Sequence, residues 1–190
     1  MKTYSIIAGV NGVGKSSATG ILKSQRNDLG YIINADEIAE SAESIYTAGK
    51  TVISRINNYL TKGICFTQET TLSGHFIKNT IQTAKEKGYK IHLFYIGLNS
   101  YEESIKRIKN RVEKGGHDIP DEDVIRRYNK RFDDLLQVLP FCSMAQFYDN
   151  ERGFKEVGEY KNGEITIKGR YKPAWFMELI KIFSEDDNYA

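Results

Sequence analysis

The segment Gly9-Val10-Asn11-Gly12-Val13-Gly14-Lys15-Ser16 constrains this chain more than any other stretch. It follows the apolar run Tyr4–Ala8 and precedes the helix-compatible run Ser16–Leu22, which is the strand, loop and helix context that a phosphate-binding P-loop requires. Glycines at 9, 12 and 14 let successive backbone N–H groups turn inward onto an anion, and the following helix N-terminus adds positive potential. Lys15 then reaches β- and γ-phosphate oxygens, and Ser16 offers the hydroxyl expected on Mg²⁺. ATP and Mg²⁺ are the expected ligands, held by Gly9, Asn11, Gly12, Val13, Gly14, Lys15, Ser16 and Ser17.

The rest of the chain suits such a loop. Short apolar runs at Tyr4–Ala8, Tyr31–Asn34, Ile64–Thr67, Lys90–Ile96 and Ala145–Tyr148 have strand length, and helix-like segments begin near Lys15, Asp36, Leu72, Ser100, Asp121 and Pro173. This alternation predicts an α/β fold of the P-loop NTPase, kinase-like class: a three-layer α/β/α sandwich on a mostly parallel five-stranded sheet. Lys161-Asn162-Gly163-Glu164 adds a late antiparallel hairpin through its Asn-Gly turn. A single domain over 1–190 is expected, with a helical lid at about 101–135 and a hairpin and docking helix at about 154–184; the acidic stretch Glu185-Asp186-Asp187 reads as a frayed end.

Composition narrows the partners. A net charge of +2 argues against a dedicated nucleic-acid binder. No apolar run is long enough to span a bilayer and no signal-peptide pattern opens the chain, so a cytoplasmic location is expected. Cys65 and Cys142 have no metal-ligand spacing and read as reduced thiols. No Asn-Lys-x-Asp segment is present to recognise guanine, and Leu72-Ser73-Gly74 is followed by His75-Phe76 rather than the Gly-Gln of a transporter signature.

A small kinase needs an acidic residue where the acceptor hydroxyl meets the γ-phosphate. Asp36 follows the second predicted strand and Glu69 ends the third, so both emerge at the sheet edge that carries Lys15. Asp36 is the candidate base, with helix capping as its bland alternative. Glu69 reads as substrate-binding or Mg²⁺-organising, and Thr71 as either an acceptor contact or a cap of a helix starting at Leu72. Arg107, Arg111, Arg127 and Arg131 form two pairs at helical spacing. Arg111 and Arg127 flank the turn Gly115-Gly116-His117-Asp118-Ile119-Pro120 and are the preferred phosphate-closing arginines, with Arg131 third; a solvated ion-paired face is the competing role for each. His117 is a further substrate candidate.

Taken together, Gly9-x-Asn11-Gly12-x-Gly14-Lys15-Ser16, Asn34-Ala35-Asp36-Glu37-Ile38-Ala39, Glu69-Thr70-Thr71-Leu72-Ser73-Gly74 and Arg111-Val112-x-x-Gly115-Gly116-His117-x-Ile119-Pro120 resemble the zeta toxin family, in its compact chromosomal branch. The resemblance runs from about residue 3 to 150 and implies a kinase that phosphorylates the sugar 3′-hydroxyl of UDP-N-acetylglucosamine. It matches Lys15 to the phosphate lysine, Asp36 to the general base, Glu69 to an acid of the substrate pocket and the 107–131 arginines to the lid. It also implies a helical antitoxin partner. Another nucleotide-type or nucleic-acid-end acceptor, or a non-catalytic ATP-dependent interaction module, are the alternatives.

Overall fold

A computed structural model describes residues 1–185. The element order is β1 (Thr3–Ala8), α1 (Lys15–Gln25), β2 (Tyr31–Ile33), α2 (Ala35–Glu40), α3 (Ile45–Lys62), β3 (Phe66–Thr70), α4 (His75–Glu86) and β4 (Lys90–Gly97). The region expected to form a lid follows as α5 (Tyr101–Val112) and α6 (Asp121–Asn129), then α7 (Arg131–Leu136), β5 (Met144–Asp149), β6 (Lys155–Lys161), β7 (Glu164–Ile167) and α8 (Ala174–Glu185). Residues 186 and 187 of the expected frayed end lie outside the described residues.

The sheet runs β2-β3-β1-β4-β5-β6-β7, with β2 to β5 and β1 all parallel and the last two strands antiparallel. The sheet has seven strands: the five expected ones, and the two of the Asn162-Gly163 hairpin, which joins the sheet edge by hydrogen-bonding onto β5 through β6. Both turn residues have positive φ, 55° and 86°, the geometry that makes Asn-Gly favourable in a two-residue hairpin.

Every residue of β1 is buried, as expected for a central parallel strand covered on both faces. On one face, Ile7 and Phe94 pack with Ala18 and Leu22 of α1 and Tyr128 of α6. On the other, Tyr4, Ile6 and Tyr95 pack with α3, α4 and the Trp175-Phe176-Leu179 face of α8. A small separate cluster of Ile108, Ile119 and Val124 holds α5 against α6.

Three local readings change. The helix expected from Asp36 is two helices, because Ser44 caps a new start by accepting from Thr47 N, and α3 buries Ala48, Val52, Ile56 and Leu60 at four-residue spacing. The helix expected at Leu72 starts at His75, since Leu72 itself has φ 64° and Gly74 occupies φ 89°. The third strand is Phe66–Thr70 rather than Ile64–Thr67, so Glu69 lies within it.

Candidate active site

Between β1 and α1 the chain turns through the loop 9–14, and the turn is made against the lid. Gly12 has φ 74°, and a Cβ there would stand 2.5 Å from the Ser104 carbonyl oxygen of α5. Only glycine lets the loop and lid helix approach this closely. The Lys15 ammonium folds back to donate to the carbonyls of Gly9 at 3.0 Å and Val10 at 3.1 Å. Burial pulls its pKa down to about 8, opposed by the Asp36 and Glu69 carboxylates and reinforced by Arg111 and Arg127.

Strand parity explains where the acids go. Glu69 pairs in register with Ile7, which faces α1, so the carboxylate points at the first turn of that helix. There Ser16 Oγ donates to Glu69 Oε2 at 3.0 Å and Thr19 Oγ1 donates to Glu69 Oε1 at 2.7 Å. Asn34 Nδ2 approaches the same Ser16 hydroxyl at 3.4 Å. These are hard oxygen donors beside a phosphate-binding loop, a set that suits Mg²⁺ completed by water and phosphate oxygens. Gln68, one residue earlier, faces the opposite side and accepts from the Tyr4 hydroxyl.

Asp36 is not the cap of its helix. Asn34 is: its Oδ1 accepts from Asp36 N at 3.0 Å. The Asp36 carboxylate is left exposed, with no hydrogen bond or ion pair to another described residue. It stands on the wall common to two spaces. One is a cleft of about 180 Å³ running along Gly12, Gly14, Ser16 and Ser17 to Arg107 and Arg111. The other is a cavity of about 410 Å³ bounded by Asn34, Gln68, Glu69, Thr71, Val52 and Arg127. Lys15 and Asn11 also line both.

The arginines separate into different roles. Arg127 reaches the phosphate loop, its Nη1 donating to Asn11 Oδ1 at 2.7 Å. Arg111 lines the cleft while its Nη2 donates to the His117 carbonyl at 2.6 Å, folding the lid turn around its own stem; its Nε is buried without a partner. Arg107 also lines the cleft, held by Glu103 at 2.8 Å and by the Asn150 carbonyl at 2.8 Å.

Arg131 departs from the expectation. Its Nη2 pairs with Glu178 of α8 at 2.6 Å, and its guanidinium lies 3.9 Å and 4.0 Å from the Tyr128 and Phe132 ring centroids. It fastens α8 to α7, because the break at Lys130 turns its side chain away from the loop that Arg127 faces. Arg131→Ala is therefore expected to lower stability by about 1 kcal/mol through lost ring stacking and ion pairing. Urea denaturation measures that loss.

Thr71 and His117 are placed differently. Thr71 lines the larger cavity, its hydroxyl 2.7 Å from Ser73 Oγ, and does not cap α4. His117 lines a neighbouring recess of about 370 Å³ with Ala35, Ala39, Ala48 and Val52, which meets the cavity at Asp36. The α3 wall and Gln68 were missed from sequence; the four-residue apolar spacing from Ala48 to Leu60 was the available signal for α3. Asn150, whose Nδ2 donates to the Val13 carbonyl at 2.8 Å, had no local signal.

No protein-family model matches the chain. A protein of Haemophilus influenzae, described as uncharacterized, is 38% identical over 127 residues, covering 63% of this chain and 88% of that protein. Among solved structures, one from the characterization of the PezAT chromosomal toxin-antitoxin system of Streptococcus pneumoniae superposes with a TM-score of 0.64 at 20% identity, covering 97% of this chain and 85% of that one. The AvrRxo1-ORF1:ORF2 complex solved with ATP gives 0.62 at 17% identity, and this chain covers 64% of its length. Sequence and structure together place the chain in the family of the Haemophilus influenzae protein, with the P-loop kinase-like α/β/α fold shared by the PezAT structure.

Proposed function

We propose that the chain is an ATP-dependent phosphotransferase that moves the γ-phosphate of Mg-ATP onto a sugar hydroxyl, with UDP-N-acetylglucosamine as the first acceptor to consider. The observation that carries this reading is the Asp36 carboxylate, unpaired and exposed on the wall shared by the phosphate-loop cleft and the 410 Å³ cavity. A hydroxyl entering from the cavity meets a base there before it meets the γ-phosphate. The likeness to the PezAT structure and to a complex solved with ATP supports ATP as the nucleotide and suggests a protein antitoxin as partner, while the acceptor rests on the sequence resemblance alone.

In this mechanism the backbone N–H groups of the loop and the Lys15 ammonium bind the β- and γ-phosphates. Ser16 and Glu69 would hold Mg²⁺, which would supply screening of the phosphate charge. Asp36 orients the acceptor hydroxyl and takes its proton as the oxygen attacks the γ-phosphorus in line, the bond to the β–γ bridging oxygen breaks and ADP leaves. Arg127 and Arg111 swing from their present partners, the Asn11 side-chain oxygen and the His117 carbonyl, onto the charge that spreads over the transferred group. Thr71 and Gln68 offer hydrogen bonds to acceptor hydroxyls, and α3 forms the apolar wall behind them.

The test is transfer from Mg-ATP to UDP-N-acetylglucosamine beside other nucleotide sugars and oligonucleotide ends, read by mass spectrometry. A phosphorylated sugar nucleotide supports the assignment; product only with another acceptor reassigns the substrate; tight Mg-ATP binding with no product from any acceptor overturns the kinase reading.

The depressed Lys15 pKa has a measurable sign. With a pKa of about 8 in the free protein, Lys15 is about half charged at pH 8, and a bound triphosphate favours the charged form. Binding of Mg-ATP is expected to take up a fraction of a proton at pH 8 and almost none from Lys15 at pH 6.5, where the amine is already charged. Affinity accordingly falls as pH rises through 8. Calorimetry in buffers of different ionisation enthalpy reads the uptake, which Lys15→Met should abolish.

A further inference from the structure

The structure assigns to Asn150 a positioning function: it holds the Val13-Gly14 peptide so that the Gly14 N–H is aimed at nucleotide phosphate. This rests on the phosphate-loop reading above. Asn150 Nδ2 donates to the Val13 carbonyl at 2.8 Å from a point 137 residues further along the chain. A carbonyl can only accept, so the amide's orientation is set by its partner. The peptide unit is planar and trans, so its C=O and N–H point in opposite directions. Fixing the Val13 oxygen toward Asn150 therefore turns the Gly14 N–H away from Asn150, and Gly14 and Lys15 both line the cleft. That N–H has no partner among the described residues, as a donor reserved for a ligand should not.

The opposite orientation is accessible to a glycine, whose φ and ψ are loosely restrained, so the loop needs an external hold. Asn150 is itself well held. Its N–H bonds the Gly97 carbonyl at the end of β4 at 3.3 Å, and its carbonyl accepts from Arg107 of the lid at 2.8 Å. The preceding Asp149 is fully buried and accepts from Trp175 Nε1 at 2.9 Å and from Glu151 N at 3.2 Å, which locks the turn after β5. Packing completes the fit. Gly14 has φ 92°, and a Cβ there would come within 2.5 Å of Asn150 Nδ2, so the amide lies directly on the loop. One side chain thus ties the loop to the sheet edge, and through its own carbonyl to an arginine lining the same cleft.

The experiment compares Mg-ATP with adenosine, which lacks the phosphates that the Gly14 N–H would meet. Wild type, Asn150→Ala and Asn150→Leu are titrated with Mg-ATP by calorimetry and with adenosine by ligand-observed NMR, with melting temperatures recorded alongside. Leucine keeps the branching of asparagine without the donor, and serves if the alanine variant does not fold. Loss of one hydrogen bond and of the peptide orientation it maintains should weaken Mg-ATP by about fivefold to tenfold, with adenosine affinity changed by less than about twofold. Asn150→Gln, which keeps the amide, should recover part of the loss. Equal weakening of both ligands, or an unchanged Mg-ATP affinity, overturns the inference. Failure of the wild-type protein to bind Mg-ATP would instead overturn the phosphate-loop reading on which it stands.

Discussion

Asp36→Asn is expected to lower phosphoryl transfer by roughly 10²–10⁴-fold while Mg-ATP still binds and the protein still folds. The separation of effects follows from the capping of α2. Asn34, not Asp36, receives the free backbone N–H at the start of the helix, and the Asp36 carboxylate bonds to no other described residue. Replacing it by the isosteric amide removes a proton acceptor without removing a structural contact. Single-turnover transfer to the acceptor identified in the substrate panel, with nucleotide affinity measured in parallel, reads both quantities. A variant that transfers at the wild-type rate would show that the proton leaves by another route and would remove Asp36 from the mechanism.

Lys15→Ala is expected to fail in a different manner, losing both affinity and rate. Lys15 carries the one ammonium that lines both the cleft and the cavity, and in the free protein it is occupied by the carbonyls of Gly9 and Val10. Charge-assisted hydrogen bonds to phosphate exceed neutral ones, so its removal should weaken Mg-ATP by about tenfold or more. Stabilisation of transition-state charge adds a further loss of roughly 10²–10³-fold in the transfer step. Presteady-state kinetics at saturating Mg-ATP isolates the second effect. If saturation restores the wild-type rate, Lys15 serves binding alone.

The places of these two residues at the loop and sheet edge were legible in the sequence because they depend on short-range geometry. A glycine-rich loop between a strand and a helix specifies Lys15 locally, and an acid just beyond the second strand must emerge at the same sheet edge. Glu69 was readable for the same reason, although its partners were not. Whether it meets the α1 face or the α3 face depends on strand parity, and a one-residue shift of β3 would exchange it with Gln68. The register Ile7 to Glu69 settles that it faces Ser16 and Thr19.

Misreadings arose where local propensity met a tertiary demand. A helix from Leu72 fitted the sequence, but Leu72 is buried at φ 64° and the helix waits until His75. Arg127 and Arg131 share a helical spacing that suggested a common target. The break at Lys130 separates them, and Arg131 turns to Tyr128, Phe132 and Glu178.

By itself the sequence determined the phosphate loop, the parallel α/β order, the Asn-Gly hairpin and the acids at the sheet edge, since each follows from turn chemistry, periodicity or position along a strand. The tertiary structure alone decided which arginine approaches the loop, that α3 walls the cavity, and that Asn150 grips the Val13 carbonyl. Those contacts join residues far apart in sequence, and their partners are selected by register, helix breaks and the packing of lid and sheet, none of which a local pattern encodes.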